Sequence, residues 1–144
     1  MPMTQIENDE CILVTATRVL EDERMQFLPR VFGHHFLEGE SLIYKWMAEI
    51  CPAYQGGFWE FYSLSSGGFY MAPDMDCNKI HIRCSGNYYD GWMSPDAAGI
   101  VATLHGLNAL VWTTRDEYLL EMFELLRHYA GDHAEGPEIF GAID

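Results

Sequence analysis

Apolar residues recur with a helical period near both ends of this chain and with a strand period in its middle. Between residues 36 and 51, five apolar residues fall on one helical face: Leu42, Ile43, Trp46, Met47 and Ile50. Lys45 and Glu49 lie off that face, and Pro52 ends the pattern, which predicts an amphipathic helix. Earlier residues are ambiguous, because residues 11–20 fit a strand or a helix. Pro29 allows a helix that stops before it or a short one that starts there.

The middle of the chain is typical of β structure. Gly57–Leu64 is rich in aromatic residues, Ser65–Gly68 favours a turn and Phe69–Met71 resumes a strand, which predicts a hairpin. Lys79–Cys84 alternates between apolar and polar residues, as a strand with one covered face does. Glycine and asparagine over residues 86–93 indicate a loop. We expect one three-stranded antiparallel sheet whose aromatic residues are mostly core, with an aromatic binding platform as the alternative: Trp59, Phe61, Tyr62, Phe69 and Tyr70.

Two more helices are predicted after the strands. Ser94 offers a capping hydroxyl, Pro95 suits the first helical position and Asp96 favours the positive end of the helix dipole. The apolar residues that follow are spaced by 4, 3 and 4: Ile100, Leu104, Leu107 and Val111. Thr114–Glu117 fits a capping box that opens the last long helix. The apolar tail, residues 136–144, can dock back onto the domain.

These elements predict an α+β fold, in which a small three-stranded antiparallel sheet packs against about four helices in a single compact domain. Residues 1–20 are expected to be loosely ordered, and residues 21–144 to form the domain. A length of 144 residues suits one domain, because two halves would each be poorly stabilised. Apolar types make up 49% of the chain, which excludes a wholly disordered acidic tail.

The charge of the chain limits its partners. Asp and Glu number 22 against 8 Lys and Arg, so the net charge is −14, and the basic residues are scattered. Broad DNA binding and binding to anionic membranes are therefore not expected. No long apolar run and no secretory signal is visible, so we expect a cytoplasmic protein. Basic protein surfaces remain possible partners, and the alternative is that the charge serves solubility alone.

Three carboxylates form a stripe on the last helix. Glu117, Glu121 and Glu124 are spaced by 4 and 3, which places them on one helical face. Like charges at this spacing repel by a few tenths of a kcal/mol, and a solvated face usually mixes signs. The stripe is therefore a candidate partner contact, and an ordinary solvated face is the alternative. Asp144, which closes the apolar tail, is a further candidate contact. Its alternative role is to pair with a nearby arginine or to cap a helix.

No catalytic or metal-binding pattern is convincing. Cys77, His81 and Cys84 have ligand-like spacing, but on a strand the first two face one way and the third faces the other. No fourth ligand lies nearby in sequence, and no catalytic motif is present. We expect no metal, no cofactor and no enzymatic activity; the alternative is an enzyme that uses Cys51, Cys77 or a histidine.

Several segments resemble the ArdB/KlcA antirestriction family. Gly56–Tyr62 and Leu64–Pro73 are similar to its central signature, Ser94–Leu104 to its following helix and Ile139–Asp144 to its terminal motif. The resemblance spans residues 25–144 and comprises several long matches in the same order. It therefore identifies the chain as a member of this family.

The resemblance implies a small cytosolic protein carried by a plasmid or another mobile element, which protects incoming DNA from type I restriction-modification enzymes. It supplies no catalytic residues. The expected partner is the type I restriction-modification complex, reached directly or indirectly, and the oligomeric state is left open. The alternative is an acidic DNA mimic that competes for a DNA-binding channel. The chain offers one short line of carboxylates, which favours protein contacts over mimicry.

Overall fold

The computed structural model describes residues 13–144, which form five strands and five α-helices. The strands are β1 (Ala16–Arg18), β2 (Trp59–Leu64), β3 (Phe69–Pro73), β4 (Ile80–Cys84) and β5 (Tyr89–Met93). The helices are α1 (Arg24–Phe32), α2 (Phe36–Ile50), α3 (Pro95–Thr114), α4 (Glu117–Asp132) and α5 (Gly136–Ile143). The α+β class is confirmed. Among these helices, none is both long and apolar enough to cross a bilayer.

The three-stranded antiparallel sheet has the order β1-β2-β3. The predicted hairpin is confirmed, because Trp59 pairs with Pro73 and the register continues towards the turn. The third strand is β1, in which Ala16 pairs with Leu64, and not Lys79–Cys84 as predicted. The ambiguous residues 11–20 thus contain a strand, within the segment expected to be loosely ordered. Residues 1–12 lie outside the described residues.

The predicted strand at Lys79–Cys84 instead pairs with residues that were predicted to be a loop. β4 and β5 form a separate two-stranded antiparallel sheet, in which Ile82 lies opposite Gly91. A Cβ on Gly91 would overlap the hydroxyl end of Tyr89, so any larger residue here would have to displace that ring. The sequence analysis took the same glycine as a turn signal, and the prediction of a loop over residues 86–93 was therefore wrong at β5.

Helix α1 runs through Pro29, which neither alternative predicted. Pro29 is the sixth residue of the helix and cannot donate to the carbonyl of Met25, four residues earlier. Met25 lies on the solvent side of α1, with 91% of its surface exposed, so water can bond to that carbonyl. The helix ends at Phe32, where Gly33 takes a positive φ of 65°.

Aromatic side chains join α1 to the three-stranded sheet. Phe27 stacks on Phe61 at 5.7 Å between ring centroids, and Phe32 meets Phe69 edge-on at 5.0 Å. Trp59, Phe61, Phe69 and Tyr70 are all buried, so the prediction that they are core is confirmed. Tyr62 is half-buried and stacks on Tyr70. A binding platform would need these rings in solvent.

Helix α3 is buried around most of its circumference and touches elements on several sides. It approaches β3 at Gly99, where a Cβ would overlap Ala72, and α2 at Gly106, where a Cβ would lie 2.7 Å from Ile43. Thr103 is fully buried beside the free edge of β3. The Met71 N–H donates to its hydroxyl at 3.3 Å, and that hydroxyl donates to the Gly99 carbonyl at 2.8 Å. Thr103 therefore supplies the partner that another strand would have given.

We predict that Gly99→Ala destabilises the protein by about 1–3 kcal/mol, because the added methyl group must displace the backbone of β3. Gly131→Ala is the matched control, since it also lies in a helix but its Cβ would meet only Phe140, at 4.0 Å. Alanine propensity should make that control more stable by up to about 1 kcal/mol. Urea unfolding measures both changes, and a Gly99→Ala variant as stable as the control would contradict the close approach.

Candidate functional site

The structure places the three predicted carboxylates of α4 in solvent. Glu117, Glu121 and Glu124 are exposed on the side of the helix opposite its buried residues. Within residues 13–144, none of the three forms an ion pair. We call these three residues the acidic face. Its charge is therefore available to another molecule.

The start of α4 differs from the predicted capping box. Asp116 is the N-cap, and its side chain accepts a hydrogen bond from the Tyr118 N–H at 2.9 Å. Thr114 is the last residue of α3, and its hydroxyl accepts from the Asp116 N–H at 3.3 Å. Asp116 and Glu117 both lie at the positive end of the helix dipole, which offsets part of their mutual repulsion.

Asp144 pairs with an arginine, which is one of the two alternative roles predicted for it. The Arg127 guanidinium donates to the Asp144 carboxylate at 3.2 Å and lies 4.9 Å from the centre of the Phe140 ring. Arg127 also lines a shallow groove of about 530 Å³ between α4 and α5, together with Glu124 and His128. The groove borders Glu124 of the acidic face, and the Asp144 side chain, which pairs with Arg127, remains 55% exposed.

Polar contacts hold helix α5 in place. The Ala142 carbonyl accepts from the Asn87 amide at 2.6 Å and lies 3.3 Å from His105 Nε2. Gly141 leaves room for the ring of Tyr89, whose hydroxyl donates to Glu138. The apolar tail thus docks as predicted, with Ile139 and Ala142 fully buried. The contacts of this helix hold Asp144 at a fixed position.

A polar cluster at the start of α3 was not predicted from the sequence. Tyr70 donates to one oxygen of Asp96 at 2.7 Å, and His133 Nε2 donates to the other at 2.9 Å. His133 Nδ1 accepts from the Glu135 N–H, and Ser94 donates to the Glu135 carboxylate through its N–H and its hydroxyl. Asp96 was interpreted only as an acid at the helix dipole. Its contact with His133 spans 37 residues, and no local pattern signals it.

The electrostatics of this cluster favour a structural role. Burial and then Asp96 raise the pKa of Tyr70 far above its usual value, so the hydroxyl stays a donor. Burial raises the pKa of Glu135, but hydrogen bonds from Ser94 and the charge of Lys79 outweigh it, and the net shift is downward. Both ring nitrogens of His133 are engaged, which leaves it no free lone pair to act as a base.

The candidate thiols and metal ligands are dispersed. Cys51 and Cys84 are buried, and burial raises the pKa of Cys84 to about 11 and that of Cys51 in the same direction. Cys77 is exposed beside a pocket of about 340 Å³, and His81 bonds to Asp90 at 2.6 Å. Across residues 13–144, no group of three or more His, Cys, Asp and Glu side chains is placed to hold a metal ion.

Fold and surface define a small acidic α+β protein whose polar clusters join its elements and whose last long helix carries a row of exposed carboxylates. The sequence profile of the antirestriction proteins matches residues 52–144. Two Escherichia coli proteins, both named antirestriction protein KlcA, are 46% and 42% identical to the chain; each alignment covers 91% of this chain and 94% or 95% of the relative. The chain belongs to the antirestriction protein family, as its segments predicted.

A solved structure gives the same result for the fold. It aligns with this chain at a TM-score of 0.85 and 43% sequence identity, and the alignment covers 91% of this chain and 95% of the solved chain. It is described as the structure of the KlcA and ArdB proteins, which show a novel fold and antirestriction activity against Type I DNA restriction systems in vivo but not in vitro.

We predict that His105 makes the protein less stable in mild acid. Burial lowers the pKa of His105, so the folded state resists a proton that the unfolded state accepts near pH 6.5. Above pH 6.5, His105 does not reduce the free energy of unfolding. As the pH falls below that value, the unfolded state takes up the proton more readily than the folded state, and the free energy of unfolding decreases. His105→Gln should therefore lose less stability between pH 7 and pH 5 than the wild type in urea unfolding. Equal losses in the two proteins would refute this assignment.

Proposed function

We propose that this protein protects incoming mobile-element DNA in the cytoplasm by inhibiting host type I restriction-modification enzymes, without catalysis of its own. The observation that carries the proposal is the likeness to the KlcA and ArdB structure, which extends over 91% of this chain. The activity described for those proteins is directed against Type I DNA restriction systems in vivo.

The proposed contact is the acidic face of α4. Its three carboxylates are exposed and unpaired within the described residues, and the chain as a whole carries a charge of −14. A surface of this kind attracts a basic protein surface and disfavours a neutral or acidic one. The type I enzyme must hold DNA, so it has to present such basic surfaces. We therefore propose that the inhibitory contact is made on the protein of that complex as it exists in the cell, since the KlcA and ArdB proteins are described as active in vivo but not in vitro.

A DNA mimic is the second candidate, and the length of the acidic face argues against it. Glu117 and Glu124 are separated by seven residues, or about 10 Å along a helix. Each strand of a duplex carries a phosphate about every 3.4 Å along the axis, so this line represents about three phosphates. Arg127 follows directly, and its positive charge interrupts the line. A mimic would need a longer row.

We predict that changing Glu117, Glu121 and Glu124 together to Gln reduces protection by roughly tenfold, which corresponds to about 1.4 kcal/mol of contact energy. Stability should hold or rise, because repulsion along the helix is relieved. The assay is phage restriction in a host with a type I system, scored beside thermal melts. Cut and modified DNA should be scored separately.

The matched control removes the same number of charges elsewhere. Glu21, Asp22 and Glu23 form an exposed turn before α1, and their change to Gln, Asn and Gln removes three negative charges, as the α4 variant does. This control should protect like the wild type. Equal loss in both triple variants would mean that net charge, and not the acidic face, is responsible; a total loss in the α4 variant would favour the DNA mimic.

We predict that Asp144→Ala impairs protection while the melting temperature changes little. The Arg127–Asp144 pair is about half exposed, and pairs of this kind contribute about 0.2–1 kcal/mol. Phe140→Ala should impair both protection and stability, because it removes packing beneath Arg127. Circular dichroism melts beside the restriction assay distinguish the two variants. Loss of stability and activity in proportion in Asp144→Ala, or loss of neither, would rule out a contact role for Asp144.

A further inference from the structure

Large aromatic side chains are exposed where α3 meets α4. Trp112, in the last turn of α3, is 62% exposed, and Tyr118, in the first turn of α4, is 42% exposed. The guanidinium of Arg115, which lies between them in sequence, sits 4.8 Å from the centre of the Trp112 ring. We call Trp112, Arg115 and Tyr118 the aromatic corner. Aromatic rings of this size are stabilised by burial, so their exposure points to a partner.

The backbone fixes the geometry of the aromatic corner. Arg115 adopts the left-handed conformation, with φ of 57°, at a helix end where glycine is the usual residue. Its N–H donates to the Val111 carbonyl at 2.8 Å, and Asp116 caps the next helix immediately afterwards. The two helices therefore turn within two residues, and neither Trp112 nor Tyr118 needs a flexible loop to be ordered on binding.

His35, the residue before α2, also reaches this corner. His35 Nε2 lies 3.8 Å from the Asp116 carboxylate, and Leu37, two residues later, is exposed. Burial, Glu121 and Asp116 raise the pKa of Tyr118, so its hydroxyl remains a donor at neutral pH. The corner thus combines apolar area with a hydrogen-bond donor and a cation, and the acidic face begins at its edge with Glu117.

We infer that the aromatic corner is the anchor by which this protein docks onto a basic protein surface. Trp112 enters an apolar recess of the partner, while Glu117 and Glu121 lie against lysine and arginine side chains around that recess. Trp, Tyr and Arg are the residue types that dominate binding energy in protein interfaces, and a charged rim adds orientation. This inference rests on the proposed function, since it takes the partner to be the type I complex.

Charge disfavours the other occupants of the corner. A symmetric contact with a second copy would bring two acidic faces together, each on a chain of charge −14. Nucleic acid and anionic lipid would place phosphates against Glu117 and Glu121. A basic protein surface is the occupant that satisfies both the exposed rings and the carboxylates beside them.

The chain offers a matched control for the aromatic corner. Trp92 is 59% exposed, but it lies on β5, and its ring stacks on His81 at 5.0 Å between centroids. We expect Trp112→Ala and Tyr118→Ala to reduce protection at least tenfold in the phage restriction assay, with unchanged thermal melts. Trp92→Ala should protect within twofold of the wild type. Full protection by a folded Trp112→Ala variant would overturn the inference while the proposed function stands.

A crosslinking experiment tests the contact without relying on protection. A photo-crosslinking amino acid replaces exposed Asn108, one turn before Trp112, or exposed Arg83 on β4 as the control. In cells that carry a type I system, we expect the probe at 108, but not at 83, to crosslink to a subunit of that complex. No crosslink from 108, or a crosslink to a second copy, would overturn the inference. If position 108 crosslinks but the wild type gives no protection, the docking surface stands and the proposed function fails.

Discussion

The close contact between α3 and β3 determines the rest of this fold. Gly99 lets the helix backbone rest on Ala72, and the buried hydroxyl of Thr103 takes the hydrogen bond of Met71 at the open edge of the strand. A buried N–H without a partner would destabilise the fold by about 1–3 kcal/mol, so Thr103 is a structural requirement at this distance. With this edge occupied, the sheet cannot extend beyond β3. Strand β4 must pair with β5 instead, and the α+β domain therefore contains two small sheets.

The segments that reveal the family are largely those that build this contact. Ser94 caps α3, Asp96 joins Tyr70 to His133, and Gly99 and Thr103 meet β3. The terminal motif has the same character, since Gly141 gives space to Tyr89 and Ala142 accepts from Asn87. Sequence likeness here reports packing. The acidic face and the aromatic corner lie in residues 112–124, outside these segments, so family membership by itself does not identify the surface that acts.

Local sequence patterns predicted the helices and strands of this protein better than they predicted the contacts between them. The helix at residues 36–51 and the hairpin follow from periodicity and turn residues, and the acidic face follows from helical spacing. Gly91 misled the analysis because glycine marks both turns and close contacts, and only the position of Tyr89 decides between them. Pro29 was misread because Met25, whose carbonyl loses its helical donor, lies on the exposed side of α1, where water can replace that donor. The cluster of Asp96 and His133 joins distant parts of the chain, which no window of sequence can relate.

The high charge of the protein cannot by itself select a partner. At physiological salt, electrostatic interactions are screened over about 8 Å, which is shorter than the roughly 10 Å of the acidic face. A basic surface therefore interacts with the individual carboxylates only near contact. At longer range it is attracted by the net negative charge of the protein, which attracts many other basic molecules as well. Discrimination must then come from shape and desolvation at the interface. Exposed rings held by a rigid turn beside Glu117 are suited to supply both, and for this reason we assign charge and aromatic surface to the same proposed contact.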